Sequence, residues 1–264
     1  MFGVLIKMLL IRNAENIERV RVSTGVTETR LLSINETASG RLAVSTYELE
    51  PWSEYGPIEY EGEMIYYVLS GRGNLAYAPG GPGEITNVMY DWDSDSYSYI
   101  APRQRHSMSN QGQGPLSVLR VQYDAKRSPD SVIPWGVPIF KLYNPIRIDR
   151  MPSLVSIVNQ TPQAFRGMGA EHFRAIEYEV VHKLPKRAVP AQATSDTQGE
   201  KPRDEIVNYV VRGRGSYLVE GREHPVKAGC LVYANPSQLI DLTPTKLVDL
   251  EQLTLDYLYF CIRI

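Results

Sequence analysis

The side chains best suited to chemistry gather in two stretches of the N-terminal half. One is Arg103-Gln104-Arg105-His106, where an imidazole, the side chain that titrates nearest neutrality, follows two guanidinium groups. In an extended chain the alternate spacing turns Arg103 and Arg105 to one side, and a pair of planar forks there would favour a carboxylate or phosphate. The other is Glu59, Glu61 and Glu63, followed by Met64 and Tyr66. Three alternating acids on one strand face make either a ligand cluster or a solvated edge that discourages strand pairing. The phase that carries Met64 inward carries Tyr66 and Val68 with it. These types point to acid–base work by His106, Tyr66 and Glu59, with Arg103, Gln104, Arg105, Tyr99 and Met64 lining a substrate site. His172, His182 and His224 have no second imidazole at ligand spacing. The sequence has no nucleophile elbow, phosphate-binding glycine loop or zinc-type cysteine pair.

These residues depend on an element that the chain contains twice. Glu63-Met64-Ile65-Tyr66-Tyr67-Val68-Leu69-Ser70 runs into Gly71-Arg72-Gly73, and Glu205-Ile206-Val207-Asn208-Tyr209-Val210-Val211-Arg212 runs into Gly213-Arg214-Gly215. Each β-branched and aromatic run is followed by another, Leu75-Ala76-Tyr77 or Tyr217-Leu218-Val219. The pattern predicts strand, tight glycine turn and strand, closed as a hairpin, with both glycines supplying positive φ. Tyr66 and Tyr209 take matching places in the copies, as do Tyr99 and Tyr233. Further strands are predicted over 42–49, 97–101, 116–123 and 171–181, with a short helical turn over 13–18 and a polar loop over 51–62. Residues 79–83 form a turn whose connection extends through Tyr90 to Asp95. The repeat divides the chain into a domain over 1–125, a proline-bearing linker over 126–145 and a domain over 146–264, each domain near the commonest size.

Composition bounds the partners. Hydrophobic residues make up 43% and charged residues 22%, with a formal net charge of −2, a globular balance that gives no reason to expect nucleic acid. No apolar run reaches the roughly 18 to 20 residues of a membrane span. The apolar start, Met1 to Ile11, lacks a basic region before it and a cleavage site after it, so it reads as a first strand or a start-site extension, and a cytoplasmic location is expected. Cys230 and Cys261 lie in apolar, strand-like segments and are expected to be buried free thiols.

The run Ile65 to Gly73, its copy from Ile206 to Gly215, and the pair His106 and Asn110 resemble the motifs of the cupin superfamily, and the duplication resembles a bicupin. The resemblance implies an all-β fold of two tandem cupin (double-stranded β-helix, jelly-roll) barrels, paired as a homodimer. The family's first motif has a His-x-His pair and a glutamate ahead of the turn glycine, and its second has a histidine followed by an asparagine. His106 and Asn110 match the second, but Pro57, Glu59 and Met64 fall where the first-motif ligands would be. In the second copy those positions are Gly199, Lys201 and Ile206, with Ile240 or Asp241 near the second-motif histidine. A divalent ion needs about three imidazole or carboxylate ligands, so no cofactor is firmly expected. If a divalent metal (Mn, Fe, Ni or Zn) is held, His106 and Glu59 would hold it with Tyr60 or Glu61.

The expected function is a small-molecule enzyme of undetermined reaction, with its pocket in the N-terminal barrel and without the standard cupin metal site. Two other readings stay open: a metal-dependent cupin oxygenase, decarboxylase or aminohydrolase with an altered ligand set, and a non-catalytic bicupin that binds a sugar or an acid. The expected ligand is a small anionic or aromatic molecule.

Overall fold

The computed structural model describes residues 9–77, 88–124, 139–141, 155–156, 173–182, 204–219, 222–234, 244–247 and 254–263. Met1 to Met8, the 79–83 turn, His172, Gly199, Lys201, Ile240 and Asp241 lie outside them. The described chain is almost entirely strand. In order these are β1 (Leu9–Asn13), β2 (Arg19–Ser23), β3 (Val26–Leu32), β4 (Leu42–Leu49), β5 (Glu54–Ile58), β6 (Glu63–Ser70), β7 (Arg72–Tyr77), β8 (Val88–Asp93), β9 (Ser96–Ile100) and β10 (His106–Asn110). Next come β11 (Leu116–Tyr123), β12 (Ile139–Lys141), β13 (Val155–Ser156), β14 (Phe173–His182), β15 (Asp204–Arg212), β16 (Arg214–Val219), β17 (Arg222–Lys227), β18 (Cys230–Ala234), β19 (Pro244–Leu247) and β20 (Thr254–Arg263). The helical turn expected near residue 14 is the 3-10 turn Ala14–Asn16. No helix among the described residues is long and apolar enough to cross a membrane.

The strands divide into two units of the same design. The N-terminal unit has a seven-stranded sheet, β12-β9-β6-β11-β4-β3-β2, and a four-stranded sheet, β5-β10-β7-β8. The C-terminal unit has a six-stranded sheet, β1-β18-β15-β20-β14-β13, and a three-stranded sheet, β17-β16-β19. Reading along the large sheets, β6 corresponds to β15, β9 to β18, β11 to β20 and β4 to β14, so the sequence repeat is also a repeat of topology. Register aligns Tyr209 with Tyr67 rather than with Tyr66: Tyr66 stands opposite Arg120, Asn208 opposite Tyr259, and Tyr67 and Tyr209 opposite Leu119 and Leu258. Tyr99 and Tyr233 do correspond, and each hydroxyl donates to the glutamate that opens the repeat strand, Tyr99 to Glu63 at 3.1 Å and Tyr233 to Glu205 at 2.6 Å.

Each large sheet takes in one strand from outside its own repeat. β1 leads the N-terminal repeat, yet it pairs with β18 from Leu9↔Ala234 to Asn13↔Cys230. β12, inside the stretch read as a linker, pairs with β9 from Ile139↔Ser98 to Lys141↔Ser96. Residues 9–16 therefore group with the C-terminal unit and 139–141 with the N-terminal one, unlike the division at 1–125, 126–145 and 146–264.

The glycine turn also differs from a hairpin. β6 pairs with β9 and β11, and β7 with β8 and β10, so Gly-Arg-Gly carries the chain from the large sheet to the small one. Gly71 takes φ +93 and Gly213 φ +85, a region that residues with a Cβ resist. Gly73 has a different reason: a Cβ there would meet the backbone oxygen of Ser109 on β10. The 51–62 segment contains β5, and Tyr90 to Asp93 belong to β8. Side-chain alternation sends Met64, Tyr66 and Val68 of β6 into one buried cluster with Tyr47, Leu49, Trp92, Met108 and Val118. The other face of that sheet is buried too, at Ile65, Tyr67, Tyr97, Tyr99, Leu119, Val121 and Tyr123.

A Cβ at Gly71 would lie 2.6 Å from the Pro115 oxygen as well as strain the backbone, whereas Gly114 has nothing within 4 Å of a built Cβ. Gly71→Ala should cost about 2 kcal/mol or more of unfolding free energy, and Gly114→Ala less than about 0.5 kcal/mol. Urea denaturation of the two variants checks the contrast.

Candidate functional site

In the N-terminal unit the two sheets bring polar groups together inside an apolar core. On the large sheet, Tyr66 of β6 stands opposite Arg120 of β11 and Ser98 of β9, and Arg120 stands opposite Ser45 of β4. His106 enters from β10 of the small sheet. The Tyr66 hydroxyl and His106 Nε2 are 3.0 Å apart, and His106 Nδ1 lies 2.8 Å from the Gln104 carbonyl oxygen. A carbonyl can only accept, so Nδ1 carries the proton, Nε2 is the acceptor, and the Tyr66 hydroxyl donates to it. The rings meet edge to face with centroids 5.5 Å apart, and Trp92 packs on Tyr66 from 5.7 Å while donating to Ser98 Oγ at 2.8 Å.

Burial sets the protonation of the pair. Loss of water around His106, which is 2% exposed, lowers its pKa to about 4, and the Arg120 charge pushes the same way against the Gln104 hydrogen bond. The imidazole is therefore neutral at pH 7. Burial raises Tyr66 to about 12, with the Arg120 charge and hydrogen bond pulling the other way.

Arg120 is answered on its other side by Glu28 of β3. Arg120 Nη2 donates to Glu28 Oε1 at 3.1 Å, Ser45 and Tyr47 hydroxyls donate to the same oxygen at 2.8 and 2.9 Å, and Arg30 Nε donates to Oε2 at 3.2 Å. Burial alone would raise the Glu28 carboxyl, but those hydrogen bonds and the two arginine charges hold it below its ordinary value. The guanidinium also lies 4.7 Å from the centre of the Tyr47 ring, a cation–π contact. Its side chain is 15% exposed and is the member of the relay nearest to solvent, since Tyr66 is 0% exposed. Beyond Glu28 and Tyr66, its remaining donors have no acceptor among the described residues.

Not every predicted site residue comes to this place. Met64 does, with its sulfur 3.9 Å from the Tyr66 hydroxyl. Gln104 contributes its backbone carbonyl, while its side-chain Oε1 is buried and takes no hydrogen bond among the described residues. Tyr99 sits on the opposite face of the large sheet, opposite Ile65 and bonded to Glu63. Glu59 and Glu61 are exposed in the loop between β5 and β6, whereas Glu63 is buried, so the three acids share no face. Arg103 and Arg105 are exposed in the turn before β10; Arg103 takes φ +62 and pairs with Glu61 at 2.6 Å. That turn is not extended, and this is why alternate spacing fails to aim the two arginines together.

Glu28, Tyr47 and Arg120 did not stand out in the sequence. Their signal was Val118-Leu119-Arg120-Val121-Gln122, a charge inside a strand apolar on both faces, which is costly unless a buried partner answers it. In the C-terminal unit Asn208 and Tyr259 stand where Tyr66 and Arg120 do, so that unit lacks the relay.

The donor set does not fit the divalent metal that the resemblance raised. His106 Nε2 is occupied by Tyr66, Glu59 is on the rim, Met64 offers only a thioether, and the Arg120 cation already stands inside. Among the described residues no three His, Cys, Asp or Glu side chains gather as ligands.

Stability measurements report on both ends of the relay. Because the folded His106 pKa lies below the unfolded value, the unfolded chain alone takes up that proton as pH falls. Stability should decline from about pH 6.5 to about pH 4, by ~3 kcal/mol from this group, and His106→Gln should flatten that part of the urea-midpoint profile. Glu28→Gln leaves Arg120 half-paired and should cost about 3 kcal/mol in the same assay.

No family model and no curated protein matches the sequence. Solved structures do resemble it. Vicilin from Capsicum annuum superposes with a TM-score of 0.65 over 96% of this chain and 85% of that one, at 10% identity. A putative glyoxylate-induced protein from Pseudomonas aeruginosa gives 0.63 over 99% and 93%, at 11% identity. A variant of oxalate decarboxylase from Bacillus subtilis gives 0.58 over 98% and 78%, also at 11% identity. At such identities the likeness speaks for architecture, and with the matching sheet orders it shows a cupin fold of two tandem jelly-roll barrels.

Proposed function

We propose that the N-terminal barrel is a metal-independent small-molecule site in which Arg120 holds an anionic substrate and Tyr66 with His106 moves a proton. The observation that carries this reading is the buried Tyr66–His106 hydrogen bond with Arg120 opposite Tyr66 on the neighbouring strand; among the described residues the cation keeps donors without an acceptor, and the histidine is a neutral acceptor. Arg120 offers a carboxylate the rest of its fork. Tyr66 then takes a proton from the substrate as its own hydroxyl proton passes to His106 Nε2, leaving a neutral phenol and an imidazolium. An imidazole with a pKa of about 4 cannot keep that proton at neutral pH, so the relay returns it. Such a base suits relocation of a proton within the substrate, as in an isomerisation or epimerisation beside a carboxylate, better than net hydrolysis.

Full burial of Tyr66 and His106 favours one second reading, a non-catalytic acid-binding protein in which the relay only stiffens the pocket. Hydrogen–deuterium exchange at carbon, followed by NMR in D2O with a panel of 2-oxo and 2-hydroxy carboxylates, separates the two. Catalysed exchange should fall about 100-fold or more in Tyr66→Phe and His106→Gln, and kcat/KM should drop below about pH 4 as Nε2 protonates. Arg120→Met should weaken carboxylate binding. Binding without exchange supports the second reading, and exchange unchanged in both relay variants sinks the first.

A further inference from the structure

The outer face of the small sheet bears a cleft that the relay does not use. Along β10, His106, Met108 and Asn110 are buried while Ser107 and Ser109 face outward, and these serines line a depression of about 320 Å³ with Trp52, Glu54, Met89 and Gln111 among its walls.

Trp52 is placed there against local preference. Ser53 N donates to the Glu50 oxygen at 3.2 Å, closing a turn with Pro51 first and Trp52 second, and Trp52 takes φ +64. Pro followed by positive φ is the pattern of a type II turn, whose second position belongs to glycine or asparagine. The turn is held on both sides, by Ser53 Oγ on the Glu50 oxygen at 2.7 Å and by Asn110 N on the Ser53 oxygen at 2.9 Å. Yet the indole is 70% exposed, so core packing does not account for it. A bulky residue in a left-handed position, exposed beside a cleft, is the kind of outlier that points to a site.

The lining fixes the ligand chemistry. The β10 backbone is committed to β5 and β7 on its two sides, so an occupant is read by side chains. The Glu54 carboxylate and Ser107 hydroxyl have no side-chain partner among the described residues, and Ser109 Oγ accepts from Gln111 Nε2 at 3.1 Å while keeping a proton to donate. Among the described residues no lysine or arginine lines the cleft and a carboxylate does, which disfavours an anion. A polyol suits it: its hydroxyls donate to Glu54 and accept from serine, and its C–H face covers the indole and Met89, which is 59% exposed. We propose that this cleft binds a neutral carbohydrate, one pyranose ring stacked on Trp52 with hydroxyls on Glu54 and Ser107.

The test uses the full chain and the methyl glycosides of glucose, galactose, mannose and N-acetylglucosamine, by saturation-transfer NMR and calorimetric titration. At least one glycoside should bind saturably in the wild type. Trp52→Gly suits the turn, so its melting temperature should hold or rise while affinity falls at least tenfold; Glu54→Gln should weaken binding as well. The proposal is overturned if no glycoside saturates, if Trp52→Gly binds as well as the wild type, or if sedimentation shows self-association that Trp52→Gly abolishes.

Discussion

A guanidinium inside a β-sandwich has lost most of its water, and the fold must replace what water supplied. Around Arg120 that replacement comes from three strands: Glu28 on β3, itself held by the Ser45 and Tyr47 hydroxyls of β4, the Tyr47 ring, and Tyr66 on β6. None of these is optional once the charge is inside, because a half-answered buried charge costs more than an apolar core of the same shape. The arrangement also explains the state of His106. The same desolvation that would penalise Arg120 without Glu28 keeps the imidazole neutral, and the same cation adds to that effect.

The C-terminal unit is built without this interaction and keeps its architecture all the same. Both units have the sheet orders, the positive-φ glycine at the sheet crossing, and the buried tyrosine–glutamate pair. They differ at Tyr66 and Arg120, replaced by Asn208 and Tyr259. The shared elements are those the architecture needs, and the differing ones form the buried polar chain of the N-terminal unit alone. One scaffold hosting unlike sites is the usual relation between fold and function.

Much of the architecture was legible in the sequence because strand alternation and glycine turns are local signals. The repeat at Gly71 and Gly213 announced two similar units, and the phase of Met64, Tyr66 and Val68 was readable from period two. His106 was readable as a type but not as a direction, since a one-residue slip would have turned it out. Arg120 was hidden for another reason. Its partner Glu28 is 92 residues away, and no local pattern links a charge to so distant an answer. Arg103, Arg105 and Glu59 were legible as types as well, but turns rather than strands carry them, so period two does not set their directions.

The exchange of β1 and β12 between the sheets also bears on how the chain is made. β1 is synthesised well ahead of its partner β18, which begins at Cys230. At roughly 5 to 20 residues per second the first strand waits on the order of ten seconds or more for its ladder. The N-terminal sheet, by contrast, receives its last strand as soon as Ile139–Lys141 emerges. One repeat can therefore complete its sheet as soon as β12 is made, whereas the sheet that holds β1 must wait for β18 and β20.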